Sequence, residues 1–177
     1  MNKLLISLLI IVIVLVGGFF VLNSYIYKEK QADTSGDYKD ISYMIEGSII
    51  PLNEKFRYFG NELMTDLDND GCEDVVFLTT HQPGGSGTFY YVVAALNTGN
   101  GYIGSDGYFL GDRIAPQTIE LSQNPKHKNV VVVNYADRSP GEPMTTQPSV
   151  GKSAYIKLDI ESMRWGIVVS NFEGESK

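Results

Sequence analysis

The feature that most restricts the fold is a series of short apolar segments separated by turns rich in glycine, asparagine and proline. The segments are rich in Val, Ile, Tyr, Phe and Thr, the residues that favour strands. Turn signals such as Gly84-Gly85 and Asn100-Gly101 fall between them. This spacing predicts a mainly β fold, an antiparallel sandwich or barrel-like domain. The predicted strands are residues 75–80, 88–96, 108–110, 118–121, 130–134, 154–160 and 165–169.

Two of these segments differ from the others because they are apolar at consecutive positions. Residues 88–96 and 130–134 offer no polar face. We therefore expect them to be central strands that are covered on both faces. Nearer the N-terminus, the alternation at Ile41, Tyr43 and Ile45 predicts a half-buried strand. Residues 53–65 have apolar side chains near helical spacing and predict a short helix, although Gly60 weakens it.

The N-terminal apolar run predicts a membrane anchor. Leu4 to Leu22 contains no charged residue. At about 1.5 Å per residue, a helix of this run would span about 28 Å, close to the hydrocarbon thickness of a bilayer. Tyr25 and Tyr27 follow where interfacial aromatic residues belong. The sequence after the run is a poor signal-peptidase site. We expect an uncleaved transmembrane helix at residues 1–27.

Downstream of the anchor, residues 28–40 are polar and predict a flexible stalk, and residues 41–177 form the predicted β-rich domain. Lys3 favours an N-terminus inside the cell, whereas Lys28 and Lys30 oppose that orientation. Large domains cross membranes with little regard to such charges. The expectation is a single-pass membrane protein whose C-terminal domain lies outside the cytoplasm.

Charge and cysteine content exclude several classes of protein. The formal net charge is −7, so the domain is a poor nucleic-acid binder, because phosphates require a basic face. Cys72 is the only cysteine, which rules out an internal disulfide. With only His81 and His127, a zinc site is disfavoured.

One segment has the spacing of a calcium loop. Residues 66–74 read D-x-D-x-D-G-x-x-D. Calcium binds six to eight hard oxygens, and carboxylates at alternate positions can converge if the chain wraps around the ion. Gly71 permits the sharp turn. The predicted ligands are the carboxylates of Asp66, Asp68, Asp70 and Asp74 and the backbone carbonyl of Cys72.

The loop is not an EF-hand. Phe77 occupies the twelfth position, where an EF-hand has a bidentate Glu, and the following residues predict a strand. We therefore expect a weak extracellular type of site, with a dissociation constant on the order of 0.1–1 mM. Its expected role is to lock the loop in place. The alternative is an Asp-rich turn that binds no ion.

Two Asp-Arg pairs follow predicted strands and define a second candidate site. They are Asp112-Arg113 and Asp137-Arg138, with Glu142 nearby. In one interpretation they cap turns and form ion pairs. In the other they line a polar cleft, where the arginines hold an anionic group and the carboxylates act as acid and base, as in glycoside hydrolysis. The Gly-rich residues 81–88 are either a hairpin loop or an anion-binding nest.

Several segments of the chain carry a resemblance to known proteins, namely residues 57–62, 66–74, 85–96, 110–117, 134–138 and 144–150. Together they resemble an uncharacterised family of bacterial exported or membrane-anchored proteins. The loop at 66–74 also resembles the calcium loops of FG-GAP-type repeats, which lead into a strand. This chain departs from the family pattern at Asn69 and in lacking a lipoprotein cysteine. The resemblance implies an extracytoplasmic location and a calcium-type loop, and it implies no activity.

The sequence thus predicts a calcium-stabilised envelope module that binds a protein or a glycan. A hydrolase of an envelope polymer, using the carboxylates of the two Asp-Arg pairs, is the alternative. A spacer with no ligand is a third possibility. The absence of a recognisable set of catalytic residues favours the first.

Overall fold

The computed structural model describes Gly18 and residues 36–168, which form a mainly β domain with antiparallel sheets. This confirms the predicted fold class for the β-rich part of the chain. Three sheets are present in this part, with two, four and five strands. The strands are β1 Ser42–Ile45, β2 Ser48–Pro51, β3 Phe56–Thr65, β4 Asp74–His81, β5 Phe89–Asn97, β6 Tyr102–Gly104, β7 Tyr108–Asp112, β8 Ala115–Leu121, β9 Val130–Asp137, β10 Val150–Asp159 and β11 Arg164–Ile167.

The five-stranded sheet is the centre of the domain. Its order is β3-β4-β5-β6, and β7 pairs with β5 along the same edge as β6. The predicted central position of β5 is confirmed, since Tyr91 to Leu96 are all buried. These side chains alternate between two separate cores, one on each face of the sheet. A strand buried on both faces reads as a continuous apolar run, which explains the sequence signal.

The four-stranded sheet, β11-β10-β9-β8, packs against one face of the five-stranded sheet. Their shared core combines Val76, Leu78 and Val92 of the five-stranded sheet with Val131 and Ile156 of the four-stranded sheet. β9 lies in the middle of its sheet, as predicted, and Val130 to Val133 are buried.

The hairpin β1–β2 covers the opposite face of the five-stranded sheet. Ile41, Tyr43 and Ile45 are fully or almost fully buried there, against Phe77 and Val93. The alternation seen in the sequence therefore corresponds to an inward-facing row of side chains. The five-stranded sheet is consequently covered on both faces, whereas the four-stranded sheet is covered on one.

The predicted helix at residues 53–65 is wrong, because Phe56–Thr65 form the edge strand β3. The register with β4 is irregular between Tyr58 and Gly60 and again between Gly60 and Leu63. Extra residues at these irregularities shift the side chains that face each core, so an alternating pattern resembles a helical one. Gly60 and Asn61 both have positive φ, at 120° and 55°, which no helix accommodates.

The two packed sheets are joined at one side by their edge strands. The Asn61 amide donates a 2.9 Å hydrogen bond to the Gln117 carbonyl, which links β3 to β8. The chain passes from one sheet to the other between β7 and β8, through Arg113, whose φ is 50°. The irregularity in β3 thus lies where the two sheets meet.

The predicted anchor at residues 1–27 lies outside the described residues apart from Gly18. Within the described part, no helix is long and apolar enough to cross a membrane. The segment from Asp37 to Asp40, predicted to end the stalk, lies against the domain. The Tyr38 ring packs on Phe77 at a centroid distance of 5.4 Å and on Tyr102 at 6.0 Å.

Candidate metal centre

The predicted calcium loop connects β3 to β4, two neighbouring antiparallel strands. The pair Thr65 and Asp74 closes the hairpin. Asn69 and Gly71 adopt positive φ values of 64° and 90°. Asparagine and glycine tolerate this conformation better than other residues, so these two positions allow the loop to fold back on itself.

Three aspartates of this segment lie close together. Asp66, Asp68 and Asp74 each offer a carboxylate oxygen, and these oxygens lie within 4.8 Å of one another. Calcium–oxygen distances are about 2.3–2.6 Å, so two ligands on opposite sides of one ion lie about 5 Å apart. The three carboxylates are therefore close enough to bind a single cation.

Asp74 is the buried member of this group, with a fully buried side chain. Its two oxygens accept 2.8 Å hydrogen bonds from the backbone N–H groups of Leu67 and Asn97. Burial raises the pKa of Asp74 to about 6, although those two hydrogen bonds act in the opposite direction. The charges of Asp68 and Asp70 raise the pKa further. A cation at the centre would reverse this effect by favouring the ionised carboxylate.

Backbone N–H groups hold the other two carboxylates in position. Asp66 accepts hydrogen bonds from Asn69 at 2.7 Å and Gly71 at 3.1 Å. Asp68 accepts one from Asp70 at 3.1 Å. Carboxylate oxygens have further lone pairs for a metal, so these bonds orient the ligands without consuming them.

Of the other two predicted ligands, Asp70 lies outside the group of three carboxylates. The backbone carbonyl of Cys72 stays a prediction. Asp70 is exposed, and its carboxylate accepts a 2.7 Å hydrogen bond from the Cys72 N–H. Burial raises the pKa of the Cys72 thiol, and the charge of Asp70 raises it further. The thiol is therefore a poor nucleophile at neutral pH.

Two asparagines that the sequence analysis missed connect the loop to the rest of the domain. The Asn129 side chain donates a 2.6 Å hydrogen bond to the Leu67 carbonyl, from the loop before β9. Asn97, at the end of β5, donates its N–H to Asp74. Asn129 is 62 residues from Leu67, so no local sequence pattern could have indicated this contact.

The carboxylates of the second candidate site have structural partners. Asp112 pairs with Arg113 at 2.9 Å and accepts the Thr88 N–H at 2.9 Å. Burial acts to raise the pKa of Asp112, but hydrogen bonds from Arg113 and Thr88 outweigh it and the pKa is lowered. Asp137 pairs with Lys152 at 2.7 Å, and that hydrogen bond is the main reason its pKa is lowered.

Arg138 and Glu142 also hold the backbone. The Arg138 guanidinium donates to the carbonyls of Thr146, at 2.6 Å, and of Arg113, at 2.9 Å. Glu142 accepts the Ser139 N–H at 2.7 Å and so caps its own turn. These hydrogen bonds and ion pairs agree with the capping and ion-pair interpretation of the five predicted residues.

The Gly-rich segment connects β4 to β5 as a hairpin loop. The Gln82 side chain donates a 3.0 Å hydrogen bond to the Thr88 hydroxyl across the loop. Gly84 and Gly85 have positive φ values of 138° and 84°. The loop lies at the opposite end of β4 from the three aspartates.

Comparisons with protein-family models, with curated proteins and with solved structures each found no match.

Proposed function

We propose that this protein is a membrane-anchored, extracytoplasmic module that binds a protein or glycan of the cell envelope, and that one calcium ion at Asp66–Asp74 stabilises its β domain. The single observation that carries the calcium part is the convergence of three carboxylates within 4.8 Å. The anchor part is supported by the uncharged run from Leu4 to Leu22.

The proposed ion has a structural role. Asp74 is buried and bonds two backbone N–H groups from different elements, so a bound cation would fix the β3–β4 hairpin to the end of β5. A buried carboxylate without a compensating partner is costly, and a cation would supply that partner. Water and backbone carbonyls would complete the six to eight oxygens that calcium requires.

The weak type of calcium site fits this arrangement. Three carboxylates without a bidentate Glu favour a dissociation constant on the order of 0.1–1 mM. Such a site fills only where calcium is abundant, which agrees with a domain outside the cytoplasm. The net charge of −7 also attracts cations to the domain.

The alternative of an envelope-polymer hydrolase gains no specific support. That mechanism requires one carboxyl group that is protonated near neutral pH. The pKa values of Asp112 and Asp137 are instead lowered, because each carboxylate binds a cationic side chain. We therefore favour binding over catalysis.

A melting curve tests the calcium proposal. The full chain, solubilised in a mild detergent, should unfold at a higher temperature in about 5 mM calcium than in chelator. At a dissociation constant of about 0.5 mM, binding to the folded state alone adds about 1.4 kcal/mol, or roughly 3–6 °C in the midpoint.

Asp68→Asn tests whether the shift comes from this site. Asp68 is half-exposed and its replacement keeps one oxygen, so the substitution removes a proposed ligand charge with little other change. This variant should lose most of the calcium-induced shift while it retains a similar midpoint in chelator. An unchanged midpoint for the original protein at millimolar calcium would remove calcium from the proposed function.

A further inference from the structure

A second cluster of charged and aromatic residues lies where the chain first joins the domain. Glu62 of β3 accepts hydrogen bonds from the hydroxyls of Tyr38 and, at 2.5 Å, of Tyr58. The Lys39 ammonium lies 3.5 Å from the same carboxylate and 4.2 Å from the centre of the Tyr58 ring. We call Tyr38, Lys39, Tyr58 and Glu62 the N-terminal latch.

The latch is the place where the segment Asp37–Asp40 is fastened to the sheet. Tyr38 and Lys39 belong to that segment, whereas Tyr58 and Glu62 belong to β3. The Tyr38 carbonyl also accepts a 2.5 Å hydrogen bond from the Tyr43 hydroxyl. The hydrogen bonds from Tyr38 and Tyr58 lower the pKa of Glu62, which therefore stays ionised at neutral pH.

The charged side chains of the latch are partly exposed to solvent. The Lys39 and Glu62 side chains are 40% and 28% exposed. Exposed ion pairs contribute little, about 0–1 kcal/mol. Local opening of such a terminal segment is inexpensive compared with unfolding of the core, so the equilibrium between closed and open latch is easily shifted.

The two elements that contact the Tyr38 side chain, β3 through Glu62 and the β5–β6 hairpin through Tyr102, both run to the candidate metal centre. Glu62 precedes Asp66 by four positions, and between them Met64 and Thr65 pair with Val75 and Asp74. On the other side, Tyr102 pairs with Asn97, whose N–H donates to Asp74. β3 therefore ends beside Asp74 in the sheet, and the residue that pairs with Tyr102 donates to the Asp74 carboxylate.

We propose that the N-terminal latch and the metal centre are coupled, so that calcium binding closes the latch and a closed latch tightens calcium binding. This inference rests on the proposed calcium site. An ion shared by Asp66, Asp68 and Asp74 restricts the ends of β3 and of the β5–β6 hairpin, between which the Tyr38 ring is seated. Ordering the seat lowers the entropic cost of closing the latch, and thermodynamic linkage makes the effect reciprocal.

The consequence concerns the length of the predicted stalk. With calcium bound, the segment Asp37–Asp40 is held against β3, so the predicted stalk is shorter by these four residues. Without calcium, that segment is released and the domain gains freedom. The metal would then regulate how the domain reaches its partner.

Tyr38→Phe tests the coupling, because it removes the hydroxyl from the latch and leaves the ring on Phe77 and Tyr102. Tyr135→Phe, in the four-stranded sheet, is the matched control. Calcium affinity is measured by titration calorimetry on the full chain in detergent. Coupling predicts about fivefold weaker calcium binding by Tyr38→Phe and unchanged binding by Tyr135→Phe.

Hydrogen exchange supplies the reciprocal measurement. Calcium should slow the exchange of the backbone N–H groups of residues 38–40 about fivefold in the original protein, and this slowing should disappear in Tyr38→Phe. Equal calcium affinity in all three proteins, with calcium-independent exchange at residues 38–40, would overturn the coupling while leaving the calcium site intact. An original protein that binds no calcium would overturn the proposed site and the coupling together.

Discussion

At the scale of single residues, two opposing effects act on the charge of the Asp74 carboxylate. Its carboxylate is fully buried, which disfavours the charged form, and it accepts hydrogen bonds from the N–H groups of Leu67 and Asn97, which favour that form. The pKa of about 6 reflects the dominance of burial. A bound cation would stabilise the ionised carboxylate, as the two backbone hydrogen bonds already do, and would offset the cost of burying the charge.

Asp74→Asn should therefore destabilise the domain even without calcium. An amide has one acceptor oxygen, and its NH2 group faces a backbone N–H that also needs an acceptor. One N–H of Leu67 or Asn97 loses its partner, which costs about 2 kcal/mol. Urea unfolding in chelator measures the difference.

The control for this prediction is Asp70→Asn in the same loop. Asp70 is exposed and its bond to the Cys72 N–H survives in the amide, so stability should change by less than about 0.5 kcal/mol. Equal destabilisation of the two variants would mean that the hydrogen bonds of Asp74 are not the cause.

The residue scale also shows what sequence can reveal about a site. The aspartate spacing predicted the position of the carboxylate cluster, because all its members come from one loop. Asn97, Asn129 and Glu62 were missed because their partners lie 23, 62 and 24 residues away in sequence and come close only in the folded domain. A lone asparagine or glutamate gives no signal of such a role.

At the scale of elements, the approach of β1 to β6 depends on one small residue. A Cβ added at Gly104 would overlap the Ser42 backbone oxygen and lie 3.0 Å from the Tyr43 ring. Backbone oxygen cannot move aside as a flexible side chain can. The β1–β2 hairpin, which covers the second core, therefore packs directly against the backbone of Gly104.

Gly104→Ala should lower the free energy of unfolding by about 2 kcal/mol, the typical cost of overpacking. Gly151→Ala, in β10, is its control: no atom lies within 4 Å of the added Cβ, and the effect should be below about 0.5 kcal/mol. Urea unfolding of both variants measures these changes in the free energy of unfolding. Equal stabilities would show that the hairpin can shift without cost.

The strands also differ in how well the sequence pattern predicts them. β5 and β9 were identified because buried side chains at consecutive positions leave a continuous apolar run, although only β5 is covered by other elements on both faces. β3 was mistaken for a helix because its irregular register disguises alternation. The short strands β2 and β6 gave no signal, since Ser48–Pro51 and Tyr102–Gly104 have too few residues to define a period.

At the scale of the whole molecule, the two ends of the domain differ in how their charged residues are arranged. The candidate metal centre lies at the start of β4, and the loops with Asp112 and Arg138 lie near its far end, about 23 Å away for a strand of this length. Charged residues at the far end brace loops, whereas those at the near end converge on one centre. Calcium would thus act on one end of the domain.

The proposed location can be tested with the only cysteine of the chain. Cys72 is free and half-exposed, so a maleimide that cannot cross membranes should label it in spheroplasts with an intact cytoplasmic membrane. Burial and the charge of Asp70 raise its pKa, so labelling should accelerate as the pH rises. Cys72→Ser gives the background, and labelling that occurs only after lysis would contradict an extracytoplasmic domain.

The doubly covered strand β5 has a consequence for biogenesis. Tyr91 to Leu96 carry no charge, no proline and no glycine, the composition of segments that assemble into cross-β fibrils when they meet copies of themselves. Only the folded sheets keep this stretch away from other chains. A cell that delivers this protein across a membrane unfolded must therefore shield the stretch, with a chaperone or by rapid folding, until both neighbouring strands have paired with it.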